Sequence, residues 1–155
     1  MDTQPAAQSA APVETYTVPV LACACTSVRR TGRALAQVYD TMMAPSGLRN
    51  TQFALLSRID QETPVGMGDL AELLALDRTT LTRALAPLER QGWLVSEAGA
   101  DRRTRQVRLT ADGAATRDAA RPLWQQAQAH IAIKFGEERL AALRQELAAL
   151  AAVAR

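Results

Sequence analysis

Residues Asp77–Gly113 read DRTTLTRALAPLERQGWLVSEAGADRRTRQVRLTADG, and this stretch decides the fold. It parses as a helix, a strand, an arginine-rich turn, a second strand and a new helix start. Asp77 is a good N-cap, because its carboxylate accepts from the unpaired amides of a first helical turn. Leu81, Leu85 and Leu88 recur at i, i+4 and i+7, so one face of the helix is apolar and demands burial. At about 100° per residue, Thr79, Arg83, Ala86 and Arg90 fall on the opposite face. That outward stripe holds two guanidiniums and a hydroxyl with no carboxylate to neutralise them. In an isolated amphipathic helix such a stripe is ordinarily just a solvated face. Its neighbours argue otherwise.

Upstream, GDLAELLAL (Gly68–Leu76) is a second short helix with Leu70, Leu73 and Leu74 on one side. The few residues between the two helices are the spacing of a helix-turn-helix. Downstream, Trp93–Glu97 and Arg105–Leu109 flank AGADRRT, a Gly-containing link short enough to close a β-hairpin. The tip of that hairpin holds Arg102 and Arg103, with Arg105 beside it. A helix-turn-helix followed directly by a basic hairpin is a winged helix. Its second helix enters a major groove of DNA, and the hairpin tip reaches the backbone or the adjacent minor groove.

The chain resembles the MarR family of transcriptional regulators. The resemblance rests on LAELLALDRTTLTRALAPLERQGWLV and on the wing pattern formed by Asp101, Arg103, Val107, Leu109, Thr110 and Gly113. It extends more weakly over about residues 21 to 153 and makes the segment before the winged helix the first helix of a dimerisation region. The expected fold is mainly α with a small β wing. A tail over residues 1–18 precedes a helical dimerisation region, 19–47 and 110–155, and a DNA-binding lobe, 48–109. Many family members bind small phenolic or carboxylate ligands between the dimerisation helices and the lobe, and some sense oxidants through a cysteine near the first helix.

Composition sets the outer bounds. With 155 residues and 48% hydrophobic content, one domain with a substantial core is expected. The formal net charge is only +2, yet residues 77–108 hold seven arginines against four acids, concentrating positive field on the winged helix. Aromatic residues make up 4%, which argues against single-strand binding by base stacking. No apolar run approaches the roughly 20 residues of a membrane span. The opening MDTQPAAQSAAPVET lacks the basic and apolar regions of a secretory signal and has the composition of a disordered tail. Two cysteines and no export signal place the chain in a reducing cytoplasm.

Residues Leu21–Met43 form the first expected helix, with Val28, Leu35, Val38, Tyr39 and Met42 as its apolar stripe. Pro45, Ser46 and Gly47 stop it. Within it lie Cys23 and Cys25. At i and i+2 on a helix their side chains point about 200° apart, so a disulfide requires unwinding that turn. Such a strained bond is easily reduced, as suits a switch. Arg29 and Arg30, about one turn downstream, favour a thiolate. The alternative reading is two small hydrophobes in an interface. Two cysteines and one distant histidine, His130, do not make a zinc site.

The remaining scaffold follows from periodicity. Asn50 is the expected N-cap of a helix TQFALLSRIDQ carrying Phe53, Leu55, Leu56 and Ile59, ended by Pro64, with Val65–Gly66 as a third wing strand. Thr110 caps a long helix to about Phe135, with Trp124, Ala127, Ile131 and Phe135 on one side. Gly136 breaks it. The last helix carries Leu140, Leu143, Leu147 and Leu150, an a/d seam about two heptads long. Such a seam has no partner inside a small winged-helix core, so an intertwined homodimer is expected. Pro87 lies toward the outward side of its helix, where a kink would bend the C-terminal half away from DNA.

The expected function is sequence-specific binding to double-stranded DNA by a homodimeric repressor, with no cofactor or catalytic residue. Thr79, Thr80, Thr82 and Arg83 are its candidate groove contacts, and Arg83 is the one suited to a guanine edge. Asp101 would hold Arg103 for a narrow minor groove, while Arg102 and Arg105 touch phosphates. A two-fold axis implies a pseudo-palindromic operator. The alternative is a winged helix used for protein interaction. With no phosphate loop, metal-ligand spacing or nucleophile with a base, an enzyme is not expected.

Overall fold

A computed structural model describes residue 19 and residues 23–99 and 104–153. In chain order these form α1 (Ala24–Met43), a 3₁₀ turn (Ala44–Ser46), α2 (Asn50–Leu56), β1 (Val65–Gly66), α3 (Met67–Leu73), α4 (Arg78–Arg90), β2 (Leu94–Ala98), β3 (Arg105–Leu109), α5 (Ala111–Phe135) and α6 (Glu137–Val153). The backbone groups into two compact units that divide within α1, up to Ala34 and from Leu35 onward. The described part of the first unit is chiefly the opening turns of α1, where Arg29, Arg30 and Arg33 are all exposed. The expected tail over residues 1–18 lies outside the described residues.

In the second unit, apolar side chains from α2, α3, α4, β2, β3 and α5 converge on one core. Leu56, Leu70, Leu81, Leu88, Val107 and Leu109 are fully buried there. The three strands are antiparallel in the order β1-β3-β2. Val65 pairs with Val107 on one side of β3, and on the other side Leu94 pairs with Leu109 and Ala98 with Arg105. The expected third strand and hairpin are therefore present.

Helix ends follow their local chemistry. Asp77 caps α4 by accepting from the Thr80 amide at 2.9 Å. Thr110 caps α5, accepting from Gly113 at 3.0 Å while its own hydroxyl donates to the Gly92 carbonyl at 2.7 Å. The Thr110 amide also donates to the Trp93 carbonyl at 3.0 Å. A side chain at Gly113 would collide with that same carbonyl, so this crossing of α5 over the exit of α4 requires glycine. Gly136, at φ +96°, ends α5 as expected.

Helices α3 and α4 end in the same Schellman motif. After α3, Ala75 N–H donates to the Glu72 carbonyl at 3.1 Å and Leu76 N–H to the Ala71 carbonyl at 2.9 Å. After α4, Gly92 and Trp93 make the equivalent bonds to Glu89 and Leu88 at 2.9 and 3.0 Å. The left-handed position is a glycine in the second case, φ +73°, but an alanine in the first, φ +51°. The turn of the helix-turn-helix thus carries backbone strain.

Four local expectations are corrected. The first helix begins at Ala24, not Leu21, so Cys23 precedes it and only Cys25 lies within it. Residue Arg49, not Asn50, is the N-cap of α2; the Asn50 amide instead donates to the Asp40 carboxylate of α1 at 2.7 Å. That helix ends at Leu56, well before Pro64, although Phe53, Leu55, Leu56 and Ile59 are all buried. Leu73 is 55% exposed and does not join Leu70 in the core.

Candidate nucleic-acid interface

Helix α4 has three working sides. Leu81, Leu85 and Leu88 face the core at 0–2% exposure. Thr79, Arg83 and Arg90 are exposed on the outward side, with Ala86 half-buried between them. No ion pair among the described residues involves Arg78, Arg83 or Arg90. The helix continues through Pro87 to Arg90, and Pro87 is half-buried. The third side, which carries Thr82, Leu85 and Glu89, faces the hairpin across a cleft also lined by Ser96 and Arg105.

The candidate threonines differ in what they can offer. Thr80 donates its hydroxyl to Asp77 Oδ2 at 2.5 Å. That hydroxyl, with the Thr80 amide, holds the Asp77 carboxyl below its usual range. Thr82 donates to the Arg78 carbonyl at 2.8 Å. Both hydroxyl protons are therefore committed within the helix, leaving methyl groups and lone pairs. Thr79 has an exposed side chain that takes part in none of the hydrogen bonds among the described residues.

On the hairpin, Arg105 is exposed, while Arg108 pairs with Glu97 at 3.6 Å across β2 and β3. The tip residues Asp101, Arg102 and Arg103 lie outside the described residues. Sequence reading missed the hydrogen bond from the Ser96 hydroxyl to the Glu89 carboxylate, which joins β2 to α4. Nothing in the local pattern of either residue signals it, because the bond depends on how the hairpin folds back on the helix.

A second feature lies between α2 and α5. Phe53 and Trp124 rings stand 5.6 Å apart at a 31° tilt. They form the apolar wall of a cavity of about 270 Å³ that Ser57, Arg58 and Arg121 also line. Arg121 is shared with Asp118 at 3.1 Å, whereas Arg58 enters no ion pair among the described residues. Trp124 is therefore a pocket wall, and Trp93 packs against the core. His130 is exposed.

Cys23 and Cys25 are free thiols at the start of α1, the first half-buried and the second exposed. The Cys23 carbonyl accepts from Ser27 at 3.0 Å, so Cys23 occupies the cap position. The Thr26 amide, then the Cys25 amide and the Thr26 side chain, hold the Cys23 thiol below its usual range. Among the described residues there is no group of three or more metal-ligating side chains, and no helix long and apolar enough to cross a membrane.

A trihelical core with a three-stranded wing, carrying on the outward side of its second helix-turn-helix helix exposed arginines that enter no ion pair among the described residues, defines a winged-helix regulator. Residues 48–104 match the sequence profile of the MarR family. The chain is 40% identical to the Mycobacterium tuberculosis transcriptional regulator MosR, whose structure was solved in complex with DNA. That match covers 83% of this chain and 98% of the other, with a TM-score of 0.70. A Bacillus subtilis relative, the HTH-type regulator YwoH, is 26% identical over 119 residues, 77% of this chain and 81% of that one. The same fold recurs in CouR of Rhodococcus jostii RHA1, solved with p-coumaroyl-CoA, at 19% identity and a TM-score of 0.70, covering 87% and 96% of the two chains. The chain belongs to the MarR family of winged helix-turn-helix transcriptional regulators, DNA-binding proteins and not enzymes.

Proposed function

We propose that two copies of this chain form a repressor that binds a pseudo-palindromic operator and lets go when a small ligand binds or when its cysteines are oxidised. The observation that carries the reading is the outward side of α4, where Arg83 and Thr79 are exposed with no acidic partner among the described residues. Arg83 takes a guanine edge, worth about 1–3 kcal/mol of discrimination, and the Thr80 and Thr82 methyls meet thymine methyls. Arg102, Arg103 and Arg105 reach phosphates and the minor groove, with Asp101 steadying Arg103. The dimer is supported by α6, a helix of 17 residues with a leucine seam and no buried side chain. Residues 19–47 and 110–155 would supply the paired helices, and the cytoplasm is the expected site of action.

Release follows from a change in the spacing of the two α4 helices. The cavity beside Phe53 and Trp124 suits a flat phenolic ring, and the Arg58 and Arg121 guanidiniums suit its carboxylate. A ligand binding best to the DNA-incompetent spacing dissociates the operator by population shift. At the other input, a thiolate at Cys23 is the better nucleophile toward a peroxide. Its attack on the O–O bond of hydrogen peroxide, with one proton taken up from solvent by the leaving hydroxide, yields a sulfenic acid and water, and the Cys25 thiol then displaces a second water to close a disulfide. Because Cys23 sits at the helix cap, that closure disturbs only the first turn of α1.

A gel-shift titration on DNA from upstream of its own gene tests the reading. A sequence-selective, salt-dependent shift supports it, and its absence ends it. Loss of the shift under peroxide is expected to require Cys23 or Cys25. An unchanged response in the double serine variant removes them.

A further inference from the structure

We infer that Glu89 and Ser96 are positioning residues that lock the wing onto the DNA-facing helix, so that wing contacts depend on this pair. The inference rests on the proposed reading of the wing and α4 as the DNA interface. In the sheet order β1-β3-β2, β3 is held on both sides, by β1 as far out as Gln106 and by β2 throughout. Among the described residues β2 is an edge strand with β3 as its one sheet neighbour. Along it Leu94 is buried, Ser96 is half-buried, and Glu97 and Ala98 are exposed. Ser96 is therefore the outermost residue of β2 still turned toward the lobe.

What it meets there is Glu89 in the last turn of α4, whose carboxylate accepts the Ser96 hydroxyl proton. A hydroxyl-to-carboxylate bond is charge-assisted and stronger than a neutral one. The Glu97–Arg108 pair, by contrast, ties β2 only to β3 and is 39–44% exposed. It stiffens the hairpin without fixing its angle. A two-stranded ribbon beyond its last anchor is marginally stable in water. Without Glu89 and Ser96, the outer ends of β2 and β3, at Ala98 and Arg105, lose their side-chain tie to α4 and to the Arg83 face. Arg105 lines the same cleft, which places the base of the arginine cluster next to the lock.

The test uses the full chain and duplex DNA from upstream of its own gene. Ser96→Ala is expected to weaken operator binding on the order of 5-fold, the effect of one lost hydrogen bond, with thermal stability above the assay temperature. Glu89→Leu should weaken it similarly, although removing a negative charge by itself favours a polyanion. Glu89→Gln keeps an acceptor oxygen and should stay within about twofold of wild type. In the Arg103→Ala background, Ser96→Ala should add less than about twofold, because the contact it positions is already gone. If Ser96→Ala binds like wild type, or costs as much with Arg103→Ala as without, the pair does not position the wing. If the wild-type chain itself fails to bind, the DNA reading falls first and the inference with it.

Discussion

Leucines at helical spacing meet opposite fates in two parts of this molecule. In α4, Leu81, Leu85 and Leu88 are at most 2% exposed. In α6, Leu140 and Leu143 are half-buried, and Leu147 and Leu150 are 41% and 46% exposed. The spacing is equally regular in both. What differs is supply: the lobe around α4 offers apolar partners from α2, α3, β2, β3 and α5, whereas α6 buries no residue at all. Periodicity reports that a face is apolar, and the covering partner must be sought separately.

Truncating a leucine on each helix sharpens that contrast most. Leu88→Ala opens a cavity in a filled core and should lower unfolding free energy by about 2–5 kcal/mol in urea titrations at fixed protein concentration. Leu147→Glu with Leu150→Glu should leave the lobe folded by circular dichroism while sedimentation shows protomers in place of dimers. A folded, dimeric double variant would place the two-fold contact elsewhere. On the interface itself, Arg83→Ala should cost about 1–3 kcal/mol of operator affinity without altering the melting temperature.

A smaller effect separates the two Schellman turns. Ala75→Gly relieves a left-handed alanine and should raise stability by about 0.5–1 kcal/mol, read from the urea midpoint. The smallest concerns the cap of α4. The Asp77 carboxyl is depressed, so its contribution is complete above an unfolded value near 4 and is lost as pH falls through the lower folded value. Asp77→Asn, an uncharged cap, should flatten the acid limb of the stability profile below about pH 4.

The features legible in the sequence are those set by neighbours along the chain. The Asp77 and Thr110 caps, the Gly136 break, the hairpin strands and the buried Phe53–Ile59 group all follow from residues within a few positions of one another. Some corrections are non-local and others are matters of helix phase or helix length. Asp40 bonds the first amide of α2 from ten residues away on another helix, a role that no pattern around Asn50 discloses. Leu73 follows Leu70 by three residues, but Ala71 and Leu74 place the buried side of α3 on the other flank of Leu70, which turns Leu73 outward. Of the interface, the outward arginine stripe was legible because it is one helix face. The wing-facing side of α4 was not, because Glu89 finds Ser96 only after the hairpin has folded back.

Between the end of β3 and the start of α5 stands a single residue, Thr110, bonded to the Gly92 and Trp93 carbonyls and to the Gly113 amide. A joint that short has no slack. Turning α5 about its axis must drag the wing strand along, so the long helix and the hairpin operate as one crank rather than two hinged parts.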